Sequence, residues 1–142
     1  MNEPAREFVI RAHFILYVAD QARSTAFYAR VLGARPTLDV PGMTEFALPG
    51  GAILGIMPEV GIRRLLGDRL PDPAGARGIP RAELYLVVHD PAALHEQALR
   101  AGAVELSPLA PRDWGHVAAY VLDPDGHVLV LAGEALPPEV TG

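Results

Sequence analysis

Few side chains in this sequence can do chemistry. The chain of 142 residues has no cysteine, and its twelve basic residues are all arginine. Thiolate nucleophiles, disulfides, cysteine-held zinc and lysine Schiff bases are therefore excluded, and any metal or proton chemistry falls to histidine, carboxylates and tyrosine. His13 opens the apolar run HFILYV and Glu83 opens the run ELYLVV. If these runs are strands, alternation puts His13, Ile15 and Tyr17 on one face, with Phe14, Leu16 and Val18 on the other. The same rule groups Glu83, Tyr85 and Val87 against Leu84, Leu86 and Val88. It also groups Trp114, His116, Ala118 and Tyr120, while Val128 and Val130 oppose Leu129 and Leu131. Glu83 is the candidate catalytic group, since burial in an apolar strand would raise its pKa and fit it for general acid or base work. Glu45 reads as a surface residue on a short strand. His89, His95 and His127 stand where solvent or a cap suits them and receive no role.

The elements that must position these groups follow from periodicity and punctuation. Residues 8–18 form a β-rich run, and 21–32 (QARSTAFYARVL) carry apolar groups at helical spacing between an N-cap, Asp20, and a stop, Gly33. Three strand candidates follow, RPTLDV, MTEFAL and AILGIM, with Pro41-Gly42 and Pro49-Gly50-Gly51 as turns. Residues 58–80, rich in Gly, Pro and Arg, read as a long connection with one helical candidate at 62–66. Its arginines, Arg63, Arg64, Arg69 and Arg77, read as solvated surface or as a lid over an anionic ligand. The pattern then restarts: a strand at 81–88, Asp90-Pro91 as cap and first helical residue, the helix AALHEQALRAG stopped at Gly102, and strands at 104–106, 116–122 and 127–132. The turn Asp123-Pro124-Asp125-Gly126 joins the last two.

The halves align, HFILYVAD with ELYLVVHD and LPGGAILGIM with DPDGHVLVLA. This indicates an internal duplication of about 70 residues, so the chain reads as α+β with two βαβββ modules in tandem. Module one spans about 8–57, the connection 58–80, module two about 81–133 and a tail 134–142, all within a single domain.

The order βαβββ twice, with FYARVLG closing the first helix and DPDGH before the last strand, resembles the vicinal oxygen chelate superfamily. That superfamily includes glyoxalase I, bleomycin-resistance and fosfomycin-resistance proteins, and extradiol dioxygenases. The resemblance implies a curled mixed sheet around a pocket, helices outside, and a homodimer. It makes His13, Tyr17, Glu83, Tyr85, Trp114, His116 and Tyr120 the expected ligand-pocket residues, suited to a small organic ligand. In metal-dependent relatives the ligands come from positions that read here His13, Glu83, Gly55 and Val130. Two of the four cannot ligate, so no metal site and no cofactor are expected. A divalent ion on His13 and Glu83 would need Glu45 or His116 as a third donor. The expected function is a small-molecule binding protein of the glyoxalase/bleomycin-resistance type. The alternative is a metal-dependent lyase, isomerase or dioxygenase using His13 and Glu83.

A formal net charge of −5 argues against nucleic acid as a partner. No run approaches the ~18 apolar residues of a membrane helix, and the N-terminus lacks the apolar core of a signal peptide, so a soluble cytoplasmic protein without membrane partners is expected.

Overall fold

A computed structural model describes residues 9–135. Phe8 and the tail after Ala135 lie outside the described residues. The chain forms two compact units, one ending at Arg77 and one beginning at Gly78. Among the described residues no helix is long and apolar enough to cross a membrane.

The first unit runs β1 (His13–Val18), α1 (Gln21–Leu32), β2 (Leu38–Val40), β3 (Met43–Ala47), β4 (Ile53–Pro58) and α2 (Glu59–Leu66). Its sheet has the order β1-β4-β3-β2, with β1 parallel to β4 and the other pairs antiparallel. Asp20 caps α1 by accepting from the Arg23 amide at 3.1 Å, and Gly33 ends it in the left-handed region at φ 62°. The helix buries Ser24, Phe27, Tyr28 and Val31, the i, i+3, i+4, i+7 stripe of an amphipathic helix. Phe46, Leu54, Ile56 and Val18 are the fully buried apolar residues of the sheet beneath. The β2–β3 hairpin is tied to α1 by a partly buried polar knot centred on the buried Thr44: Gln21 donates to Val40 O and Thr44 Oγ1, Thr25 donates to Thr44, and Thr44 donates to Asp39.

The second unit repeats the order as β5 (Glu83–Val87), α3 (Pro91–Arg100), β6 (Val104–Pro111), β7 (His116–Leu122) and β8 (Val128–Glu134). Its sheet is β5-β8-β7-β6, again with one parallel pair, β5 with β8. Asp90 caps α3 through the Ala93 amide, with Pro91 at the first helical position. The architecture is α+β, two four-stranded mixed sheets in tandem.

The turn before β8 is built by Asp123, whose buried carboxylate accepts from the amides of Asp125 and His127, both at 2.9 Å. Gly126 follows at φ 87°. A Cβ on Gly126 would lie 3.0 Å from Cα and O of Gly78, so the turn meets the end of the connection backbone to backbone.

Several boundaries move from the sequence expectation. β1 starts at His13 rather than in residues 8–12, because its parallel partner starts at Ile53, which pairs with His13 and whose amide reaches Ala12 O. The 62–66 helix gains a turn and begins at Glu59, an acid suited to a helix N-terminus, directly after Pro58. β6 runs on to Pro111 instead of stopping at Leu106, since an edge strand with two register shifts accommodates Pro108 and Pro111. β8 begins at Val128 and extends past Ala132 to Glu134. Phe14, expected on the packed face, is 56% exposed. α1 covers β3 and β4, and β1 is the sheet edge.

Candidate functional site

In the second unit, alternation along β5, β7 and β8 brings one set of side chains to a common face. Val130 on β8 lies opposite both Tyr85 and Tyr120. Ala118, Val130 and Ala132 form a buried floor, with Tyr85, Tyr120 and Val128 packed against it. Leu129 and Leu131, on the opposite parity, are also fully buried.

A directed chain of polar contacts lies on this apolar floor. The Trp114 indole N–H donates to Tyr85 Oη at 2.8 Å. Indole nitrogen is a donor only, so the tyrosine hydroxyl accepts there, and it shares a second hydrogen bond with His116 Nδ1, 2.6 Å away. With the imidazole proton on Nε2, toward Glu134 Oε1 at 3.5 Å, Nδ1 is bare and the tyrosine proton goes to it. This tautomer is assigned from the network. The Tyr85 and His116 rings also stack, with centroids 5.7 Å apart and planes 28° apart. Trp114 is half exposed. Tyr85 thus retains one lone pair for a ligand.

The ionisation of Tyr120 is displaced. Burial pushes its hydroxyl above the usual value, the negative field of Glu83 and the neighbouring Tyr85 add to this, and Arg112 opposes it. The Arg112 guanidinium lies 5.1 Å from the centre of the Tyr120 ring. The phenol raised in the folded state favours the neutral form, so its contribution to stability is full below the unfolded phenol range near 10 and is lost as pH rises through the folded pKa. An absorbance titration of the parent minus Tyr120→Phe is expected to show phenolate appearing above that range. A difference transition at or below the free-tyrosine position would contradict it.

Arg112 escaped the sequence analysis. Its Nη2 donates to Ser107 Oγ at 2.9 Å, Pro108 O at 3.0 Å and Ala118 O at 2.8 Å, and its Nε donates to Ala118 O at 3.2 Å. It closes the bulged β6–β7 hairpin and stands over the Tyr120 ring. Glu134 was also missed, because β8 was expected to end at Ala132. Glu83, expected to be buried in an apolar strand, is exposed at the start of β5. The exposed carboxylate acts through its charge on Tyr120.

In the first unit His13 Nδ1 lies 3.4 Å from Glu45 Oε2. Glu45, expected at the surface, is partly buried and sits opposite Gly55 in the β3–β4 register. Tyr17 is partly buried opposite Met57. His95, given no role, is largely buried on α3, with Nε2 2.8 Å from Glu105 Oε1 of β6 but without hydrogen-bond geometry to it. Arg63 donates to Leu70 O at 2.6 Å, so this arginine holds the connection's own backbone, and Arg64, Arg69 and Arg77 are exposed.

The residues at the four metal positions do not fit a divalent ion. A Cβ on Gly55 would already stand 2.9 Å from Ile15 Cγ1, so a ligating side chain there would first have to displace Ile15. Val130 is an apolar floor residue with no exposure. Among the described residues no three of His, Cys, Asp or Glu gather closely enough to hold a metal.

Comparison with known proteins agrees with this architecture. Residues 10–131 match the model of the Glyoxalase/Bleomycin resistance protein/Dioxygenase superfamily. An uncharacterized protein of Mycobacterium bovis is 29% identical over 120 residues, covering 79% of this chain and 75% of the relative. A counterpart of Mycobacterium tuberculosis is also 29% identical, over 79% of this chain and 67% of its own length. Among solved structures, a glyoxalase-related enzyme from Fulvimarina pelagi superposes with a TM-score of 0.74 at 24% identity, over 92% of this chain and 93% of that one. A glyoxalase/bleomycin resistance protein/dioxygenase family enzyme from Burkholderia phytofirmans gives 0.74 at 18% identity, over 87% and 98%. At these identities the structures speak to the fold alone. With the family model spanning both modules, the chain belongs to the glyoxalase/bleomycin resistance protein/dioxygenase superfamily.

Proposed function

We propose that this chain binds a small organic ligand on the Trp114 and Tyr85 face of its second sheet, in the manner of the bleomycin-resistance branch and without a divalent ion. The observation that carries the reading is the Trp114–Tyr85–His116–Glu134 chain laid over the floor of Ala118, Val130 and Ala132. The half-exposed Trp114 ring and the partly buried Tyr85 and Tyr120 rings, backed by that floor, supply the apolar area a ligand can remove from water, and a few oriented polar tips supply selectivity. The Glu83 carboxylate and the free lone pair of Tyr85 both accept hydrogen bonds, which favours a ligand carrying an amine or another donor beside an aromatic or aliphatic body. His116 fixes the direction of the Tyr85 proton, and Trp114 fixes the direction of its lone pair. Catalysis, if Glu83 performs it, is proton transfer to or from a bound donor.

Trp114 is the only tryptophan in the chain, so intrinsic fluorescence reports from within the proposed site. Titration with a panel of aromatic amines is expected to change Trp114 emission saturably. Glu83→Gln is expected to weaken binding about tenfold through loss of a charge-assisted contact. Tyr85→Phe breaks the chain at its centre and is expected to reduce binding with the apolar floor intact. No saturable response to any member of the panel would overturn the reading. So would stoichiometric nickel, zinc, manganese or iron in protein purified without chelator. We also propose a homodimer on the family resemblance, to be read by light scattering of the full chain.

A further inference from the structure

The first unit carries a second directed polar chain, and this one ends in a fixed cation. Arg11 Nε donates to His13 Nε2 at 2.9 Å, while His13 Nδ1 faces Glu45 Oε2 at 3.4 Å. A guanidinium keeps its protons, so Nε2 must be the bare nitrogen and the imidazole proton lies on Nδ1, toward the carboxylate. The lone pair that a metal would need on His13 is thereby already engaged by a positive charge. The neighbouring position is closed too, since Ile15 fills the space beside Gly55.

The two terminal nitrogens of Arg11 have no hydrogen-bond partner among the described residues, and Arg11 lines an open groove of about 200 Å³ with Val9, Ile10, Gly50 and Gly51. Ile10 is 98% exposed and gives the groove an apolar rim. A planar fork of free N–H donors beside an apolar rim matches a carboxylate on a small organic body.

We propose that the Arg11 guanidinium takes the place of a divalent ion at His13 and makes this groove a site for a small carboxylate. The Glu45–His13 pair holds the guanidinium by one edge and leaves the other edge to the ligand. The site belongs to the first unit and stands or falls apart from the ligand face of the second.

Calorimetric titration with nickel(II) alone tests the cation's role. Arg11→Ala is expected to bind nickel about tenfold more tightly than the parent, because it frees His13 Nε2, and a further His13→Ala change is expected to abolish the gain. Equal nickel affinity in the parent and Arg11→Ala overturns the stand-in role. Benzoate titration, followed by NMR on the Ile10 methyl signal, tests the ligand class. Arg11→Gln is expected to weaken benzoate about tenfold. Benzoate affinity that survives Arg11→Gln, or no saturable benzoate shift in the parent, overturns the carboxylate site. Arg11 is exposed, so neither variant removes a buried contact from the fold.

Discussion

Val130→Glu is expected to lower the unfolding free energy by about 3 kcal/mol, the scale of an unpaired carboxylate placed in an apolar interior. Val130 has no exposure and lies among Ala118, Ala132 and the two tyrosines that flank it in register. The family resemblance implies a metal-ligating residue at this position, yet here a carboxylate would meet a packed floor. Burial raises the carboxyl's folded pKa, so the loss is smallest at acid pH and grows as pH climbs past the unfolded carboxyl range. Urea unfolding at two pH values measures both parts. A variant as stable as the parent that also binds nickel tightly would show that the floor yields and that the position remains open to metal.

Arg112→Met is expected to cost about 2–3 kcal/mol, since the substitution keeps an apolar stem and deletes hydrogen bonds from a charged donor to partly buried acceptors. Ala118 O loses both of its contacts from the guanidinium, and Pro108 O and Ser107 Oγ lose theirs. Arg112→Lys keeps a positive charge near Tyr120 but cannot reproduce the fork, so about half of the loss is expected to remain. Removal of the charge also removes the one influence that lowers the Tyr120 pKa, and its phenol therefore moves further upward in Arg112→Met. Chemical unfolding gives the first effect and absorbance titration the second. If Arg112→Met unfolds like the parent, the bulged hairpin does not depend on this side chain.

The punctuation of the fold was legible because it is local. Asp20, Gly33 and Asp90-Pro91 cap and stop helices by contacts within a few residues, and the structure places them at those helix ends. Strand parity was equally legible: a period of two assigns Tyr85, Tyr120 and Val130 to one face whatever surrounds them. The polar contacts were less so. Arg112 finds its carbonyls only because β6 slips register twice, a feature no alternation rule contains. Glu134 meets His116 because β8 continues two residues beyond its apolar run. Arg11 reaches His13 from outside β1, where the sequence suggested more strand. Phe14 has the parity of a core residue but occupies an edge strand outside α1, so pattern alone overstated its burial.

The contact between Gly126 and Gly78 bears on how this sequence can drift. A side chain on Gly126 collides with main chain, which cannot rotate out of the way, and both residues hold positive φ. Neutral substitution is thus closed at Gly126 by the collision and disfavoured at Gly78 by its positive φ, where a Cβ would meet Asp125 O only at an ordinary 3.9 Å. Lineages that replace one of these glycines should be found to have re-routed the connection there, so the length of that segment and the identity of the DPDG glycine should change together.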